Sequence, residues 1–263
     1  MKFYLSYWSG GYSEMNKNLI NLFKLSVYNI KKHYGDCYLI TDSKSKLNLN
    51  FLKFTSITTE LDILNEINSH NWALGKLYSY LFLSQKKESF LHLDYDVFLW
   101  KDLPKNFLKE SILVQQKEPD DQKKYYNLDI IASECPKKYL MENINQNEFP
   151  FAYNMGVFGG SDFNFIETYS KSAIDFSLDK ENQLFFNKLN KISHSCVPVI
   201  CEQLYLKQAS NYYKKNITCL IESTTEREQD IEATNMGYTH LQDLKNQETM
   251  IKKIQSRVDQ LNL

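Results

Sequence analysis

Asp94 and Asp96 stand one residue apart at the end of the apolar run Phe90-Leu91-His92-Leu93. In an extended backbone, residues two apart point the same way, so this spacing aims two carboxylates into one space. Two like charges held that close repel each other unless a cation lies between them. Magnesium or manganese suits the position, because each accepts one or two carboxylates and completes its shell with phosphate oxygens and water. Asp-x-Asp also arises by chance in a chain with 32 acidic residues. The apolar run before the pair weighs against chance, as does Val97-Phe98-Leu99-Trp100 after it, which reads as a second strand rather than a solvent loop. A calcium loop would need further oxygen ligands and a glycine where Val97 and Phe98 stand.

The elements that must position the pair alternate. Residues 2–8 read as a first strand and Gly10-Gly11 as a turn, with Ser13 available to cap a helix that runs to Tyr34. Leu19, Ile20, Phe23, Val27 and Ile30 recur in that helix at helical spacing, and Gly35 ends it. Residues 37–41 form a second strand closed by Asp42, and 51–58 hold a weaker third. Residues 72–84 are helical, with Leu74, Leu77, Tyr78, Leu81 and Phe82 on one side, and 90–94 are a fourth strand. Strand and helix in alternation predict an α/β fold built on a mixed, mainly parallel sheet flanked by helices. Ligands on such sheets sit beyond the carboxyl ends of strands, where Asp94 and Asp96 fall.

The second half is more helical. Residues 111–116 and 151–160 read as strands, 162–190 as one or two helices, 200–210 as another, and 216–222 and 237–241 as short strands. Ile251, Ile254, Val258 and Leu261 lie at helical spacing. We assign residues 1–245 to one domain and 246–263 to a C-terminal helix packed on it. The alternative uses of that helix are a dimer contact or a membrane-surface anchor, and the mixed charge of its polar face favours docking.

Composition removes several classes. The chain has 263 residues, 43% of them apolar, and a net charge of −1. Without a basic run it does not suit a nucleic-acid binder that works by charge. The start is too short and too polar for a signal peptide, and no run approaches the ~18 apolar residues of a membrane span. Five cysteines, odd in number and without paired spacing, read as reduced thiols in a cytoplasm. In that setting Asn216-Ile217-Thr218 is a chance sequon.

The segment 90–103, FLHLDYDVFLWKDL, resembles the metal-binding Asp-x-Asp segment of GT-A-fold glycosyltransferases. Residues 153–160, YNMGVFGG, resemble the Asn-x-Gly-Val strand of the retaining branch related to galactosyltransferases and glycogenins. EQLYLKQ at 202–208 resembles that branch's acidic-Gln-x-x-Leu segment, and YTHLQDLK at 238–245 its late histidine segment. The resemblance implies a GT-A-like (Rossmann-like) fold and transfer of a sugar from a nucleotide-sugar, commonly UDP-linked, with Mn2+ or Mg2+. It implies metal ligation by Asp94, Asp96 and His240, and contact of Lys245 with diphosphate. Tyr95 stands where a small residue is often found, next to the donor. The acceptor stays open among glycan, lipid-linked and protein. A phosphatase of the haloacid dehalogenase type also carries Asp-x-Asp after a strand. That motif usually lies near the start of the domain and has Thr or Val where this chain has Phe98. A phosphatase or nucleotidyltransferase remains the alternative enzyme, and a sugar-binding protein without turnover the alternative outside enzymes.

The remaining candidates follow from the chemistry of breaking a sugar–phosphate bond, which builds negative charge on the departing diphosphate. A divalent ion held by Asp94, Asp96 and a neutral imidazole stabilises that charge as a Lewis acid. His240, at a strand end, is the candidate imidazole, against a core or surface histidine. His92 suits packing or a supporting contact. Lys76 could reach phosphate or be solvated. Asn154 can donate to and accept from sugar hydroxyls, and Gly156 lets backbone approach a ligand closely. Gly159 and Gly160 fit a strand bend better. Tyr4, Tyr7 and Trp8 could flank a base but more often fill a core, so the loop after the first strand is the better candidate. Glu202 and Gln203 could stabilise positive charge at the anomeric carbon, or Glu202 could simply favour a helix first turn.

Overall fold

Apolar alternation and helical spacing resolve, in a computed structural model, into nine strands and ten α-helices among the described residues 1–12, 15–67, 71–118, 128–140, 151–192 and 197–263. The first half runs β1 (Lys2–Tyr7), α1 (Lys17–Tyr34), β2 (Tyr38–Thr41), α2 (Ser43–Leu49), β3 (Ser56–Thr58), α3 (Ala73–Gln85), β4 (Phe90–Leu93) and β5 (Val97–Leu99). Then follow β6 (Ile112–Lys117), α4 (Leu128–Glu134), β7 (Tyr153–Gly160), α5 (Phe163–Leu178), α6 (Lys180–Ile192) and α7 (Val197–Val199). A π-helical turn, Ile200–Leu204, leads into α8 (Tyr205–Tyr212). The chain closes with β8 (Thr218–Cys219), α9 (Glu226–Met236), β9 (Tyr238–His240) and α10 (Glu248–Gln260).

Seven strands form one sheet in the order β3-β2-β1-β4-β7-β6-β8, and β5 pairs with β9 in a second, two-stranded sheet. The pairs β1–β2, β1–β4, β2–β3 and β6–β8 are parallel, while β7 runs antiparallel to both neighbours. This is the expected mixed, mainly parallel α/β sheet. Strands β1, β2 and β4 at the centre of the parallel part are buried on both faces, which is why they read as near-continuous apolar runs. One core, with Leu74, Leu77, Tyr80, Phe158, Tyr169 and Tyr205, packs α3, α5 and α8 on one face. The other, with Leu5, Leu22, Phe23, Leu91, Val97 and Val258, packs α1, β5 and α10 on the opposite face.

Local chemistry explains the ends of the elements. Asn16, in extended conformation, accepts from the Leu19 amide and caps α1. Ser13, the cap read from the sequence, lies outside the described residues. Gly35 ends α1 at φ 80°, a conformation that costs a side chain but not glycine. Asp42 closes β2 as expected and then caps α2, a short helix that the sequence pattern did not suggest. Helices α4 and α9 were also missed; α9 has one buried residue, Gln229, and so lacks an apolar stripe. The strand read over 216–222 contracts to β8, two residues long. Ile254 and Val258 of α10 are buried against α1, where Asn21 Nδ2 donates to Gln255 Oε1 at 2.8 Å. No described helix is long and apolar enough to cross a membrane.

Two glycines of β7 are required by close approach. A Cβ on Gly159 would lie 2.1 Å from the Phe90 carbonyl oxygen, and one on Gly160, at φ 129°, 2.1 Å from that of Ser111. Both serve close approach between paired strands, at a place where the sequence suggested a strand bend.

Candidate metal and donor site

The aspartates stand where β4 stops. Their convergence does not come from an extended pleat. Residues 94–97 form a turn, with the Val97 amide donating to the Asp94 carbonyl at 3.0 Å, and the chain then reverses into β5. The Asp94 amide donates to the Gly156 carbonyl at 2.9 Å, which pins the first aspartate to β7. Strand β5 pairs with β9 so that Val97 faces His240. That ladder carries a histidine from the end of the chain to within reach of both carboxylates. Its Nε2 lies 3.8 Å from Asp94 Oδ2 and 3.6 Å from Asp96 Oδ1. One ligand atom from each of Asp94, Asp96 and His240 lies within 4.8 Å of the others.

The donor set suits a small divalent cation. Two carboxylates and an imidazole are ligands that magnesium, and still more manganese, accept. On the far side of the ring, His240 Nδ1 is 2.8 Å from Gln115 Oε1, a carbonyl oxygen that can only accept. In the neutral ring the proton then belongs on Nδ1, with the Nε2 lone pair toward the carboxylates, and it is the doubly protonated ring that carries positive charge toward them. Such a partner beyond the ligand is what metal-binding histidines ordinarily have.

Three further charges complete the cluster. Lys76 Nζ lies 2.7 Å from Glu202 Oε1 and 2.9 Å from Asp94 Oδ1, and donates to the Met155 carbonyl at 3.1 Å. Its three protons thus have protein acceptors, and its side chain is 3% exposed. Burial by itself would lower the Lys76 ammonium, but Asp94 and Glu202 outweigh it and the pKa is raised. Glu202 has no exposed surface; Tyr80 also donates to its Oε1 at 2.9 Å, while Oε2 has no hydrogen-bond partner. Burial pushes the Glu202 carboxyl up, Lys76 pulls it down, and Asp94 adds to the rise. The π turn places this residue: one extra residue in a helical turn re-aims the side chains that follow. Gln203 is half-buried on the same turn.

Lys245 is the more open cation, 27% exposed, with Nζ 2.7 Å from Asp96 Oδ2 and 5.2 Å from the Tyr95 ring centroid. Burial would raise the Asp96 carboxyl, but His240 and Lys245 outweigh it and hold it well below the usual carboxylate range. Tyr95 is buried, stacked on Phe23 and edge-on to Tyr7 and Tyr12. Asn154 is buried too: its Nδ2 donates to Glu118 at 2.8 Å and its Oδ1 accepts from the Gly156 amide at 3.0 Å. Gly156 does open space, but for protein atoms. A Cβ there would lie 2.3 Å from Gln115 Oε1 and 2.5 Å from His240 Nδ1. His92 is buried in β4, with Nε2 2.8 Å from Ser6 Oγ and its ring edge-on to Tyr80, and its pKa is driven well down by burial and by Lys76.

Beside the acidic cluster, at the carboxyl ends of β1 and β2, lies a cavity of about 220 Å³ bordered by Tyr7, Ser9, Tyr12, Lys44, Ser45 and Asn48. Tyr4 and Trp8 are core, while Tyr7, also buried, borders this space together with Ser9 and Tyr12 of the following loop. Tyr12 joins the two regions, its ring 5.7 Å from that of Tyr95 and 6.1 Å from that of Trp72. Asp42 is occupied in holding this wall, accepting from Ser9 N at 2.7 Å and Ser45 N at 2.8 Å. Gln115 is the residue that sequence reasoning missed; a glutamine inside an apolar strand, Ile112-Leu113-Val114-Gln115-Gln116, was the available signal.

Residues 1–261 match the model of a family described as a family of unknown function, DUF6734. No curated protein is matched. Among solved structures the chain is similar to the crystal structure of mouse xyloside xylosyltransferase 1 in its apo form, with a TM-score of 0.45 and 11% identity over 91% of this chain and 96% of that one.

Proposed function

The chain belongs to the DUF6734 family, and we propose that it is a metal-dependent glycosyltransferase of GT-A type that transfers a sugar from a nucleotide-sugar, a UDP-sugar, with retention. One observation carries the reading: Asp94, Asp96 and His240 converge at the carboxyl end of β4 with ligand atoms within 4.8 Å of one another. Open α/β sheets bind ligands at that end. An Mn2+ or Mg2+ ion there supplies Lewis-acid stabilisation of the charge that forms on a departing diphosphate.

The chain's own residues divide the work. Asp94, Asp96 and His240 hold the ion. Lys245, the more open of the two cations, turns from Asp96 to diphosphate oxygen. Lys76 stays buried and fixes Asp94 and Glu202, so that neither carboxylate swings. The cavity lined by Ser9, Tyr12 and Asn48 takes the nucleoside, with Tyr12 offering an aromatic face. Gln203, a neutral amide, supports retention: it suits the back face of the sugar and supplies no base there. The acceptor proton then passes to the leaving diphosphate oxygen on the same face as the new bond. Asn154 and Gly156 keep that wall of the site in place. The five cysteines, odd in number and without paired spacing, support a cytoplasmic location.

The test is nucleoside diphosphate release across a panel of nucleotide-sugars with Mn2+ or Mg2+, for the unmutated chain and Asp96→Asn. Metal-dependent release that the variant loses supports the proposal. An aspartyl-phosphate trapped on Asp94 would establish the phosphatase instead, and donor binding without release a sugar-binding protein. NMR of the product's anomeric proton decides the stereochemistry: a β-linked product from an α-linked donor overturns retention.

A further inference from the structure

A line of three glutamines runs from helix α9 to the metal-binding histidine, and its direction is fixed at the far end. Gln229 Nε2 donates to two backbone carbonyls, Lys117 O and Ser223 O, each at 2.9 Å. Carbonyl oxygens accept only, so the amide of Gln229 cannot be turned round without losing both bonds. Its Oε1 therefore faces Gln116 and accepts from Gln116 Nε2 at 2.7 Å. Gln116 Oε1 is then left to accept from Gln115 Nε2 at 3.2 Å. The remaining atom, Gln115 Oε1, must accept, and it meets two donors: Tyr238 O–H at 2.7 Å and His240 Nδ1 at 2.8 Å.

The strand is built to allow this. Side chains of adjacent residues in a regular strand point to opposite faces. Between Val114 and Gln116 the β6–β7 register shifts, and bulges of this kind re-aim side chains next to active sites. The irregularity lets Gln115 and Gln116 touch. Gly156 on the neighbouring strand leaves the volume in which Gln115 Oε1 and His240 Nδ1 meet. All three glutamines are buried, where an amide turned the wrong way round would leave polar groups unpaired.

We propose that Gln115, Gln116 and Gln229 form a polarity relay that sets the tautomer of His240: anchored on the Lys117 and Ser223 carbonyls, it forces the proton onto Nδ1 and presents a bare Nε2 to the space shared with Asp94 and Asp96. The relay deepens the metal-site reading and rests on it for its purpose, but the tautomer is a property of the metal-free protein. These glutamines are positioning residues, since none of them faces the cluster except through His240.

Two measurements test it. The first is the 15N imidazole spectrum of the metal-free chain, read in alkaline buffer once the ring signals no longer change with pH. The His240 signals should show a protonated Nδ1 and an unprotonated Nε2; the opposite tautomer overturns the proposal. The second is Mn2+ affinity of variants. Gln115→Glu keeps an acceptor at His240 and should bind within a few-fold of the unmutated chain, whereas Gln115→Leu should bind about 10–100-fold more weakly. A space-filling role predicts the reverse order, because burying a new carboxylate is worse for packing than burying leucine. Gln229→Leu, which touches no metal ligand, should give mixed His240 tautomers and weaker Mn2+ binding. An unchanged spectrum and affinity in Gln229→Leu overturn the relay. Should the unmutated chain show the Nδ1-protonated ring yet bind no Mn2+, the relay stands and the metal reading falls.

Discussion

Replacing Gly156 with alanine perturbs one atom's worth of space at the point where the histidine is held. The new Cβ would lie 2.3 Å from Gln115 Oε1, 2.5 Å from His240 Nδ1 and 2.6 Å from His240 Cε1, against an ordinary contact of 3.4 Å or more. The imidazole and the amide must therefore separate from it by roughly 1 Å. The backbone at Gly156 needs no glycine-only conformation, so the cost lies in the side chains. Overpacking of this kind costs about 1–3 kcal/mol. Loss of a histidine's supporting partner weakens metal binding about 10–100-fold. At a Mn2+ concentration 100 times the unmutated dissociation constant, binding adds about 2.7 kcal/mol to stability; a 100-fold weaker site adds about 0.4 kcal/mol. In a domain this size that is a rise in Tm of about 5–10 °C reduced to about 1 °C. The assay is thermal unfolding with and without Mn2+. Gly35→Ala serves as control: it strains the end of α1, meets no atom within 4 Å, and should lower Tm while keeping the Mn2+ increment. A full Mn2+ increment in Gly156→Ala would refute the reasoning, since His240 would then bind metal without its contact to Gln115.

Three other outcomes follow from the same geometry. Lys76→Met leaves Asp94 and Glu202 without their shared cation and should destabilise the chain by about 3–5 kcal/mol in urea unfolding, and Lys76→Met combined with Glu202→Gln should be milder than Lys76→Met alone; a double variant as unstable as the sum of the two singles would show that the charges do not interact. Ile254→Ala empties a buried position between α10 and α1 and should cost about 2–5 kcal/mol, so a loss below about 1 kcal/mol would mean that the last helix is not docked. Asp96 is held below its ordinary value of 3.8, so its contribution is present above that pH and is lost as pH falls; in metal-free protein, stability should therefore fall less steeply below about pH 4 in Asp96→Asn than in the unmutated chain, and parallel acid limbs in chemical denaturation would contradict the assignment.

Periodicity made the sheet and its main helices legible. Leu19 through Ile30 had to bury one face, and Phe90-Leu91-His92-Leu93 is too apolar to be an edge. The position of Asp94 and Asp96 after that strand was also legible, because a parallel sheet presents ligands at its carboxyl end. Helix α9, with only Gln229 buried, carried no stripe for periodicity to find. What no local pattern holds is distance across the chain. His240 reaches Asp96 only because β9 pairs with β5, and Val97 and His240, which face each other there, are 143 residues apart in sequence. Lys76 looks like any helical lysine in the sequence. Tertiary packing buries it between Asp94 and Glu202, where its charge is worth holding only because both carboxylates arrive from other elements. The sequence by itself offered the candidate residue types and the strand that ends at the two aspartates, since side-chain chemistry and apolar runs are local. The late segment of the sequence also named His240 as the third candidate, but its place beside the two aspartates and the line of glutamines behind it were decided by the tertiary structure, because pairing and hydrogen bonds depend on every group that folding brings within reach.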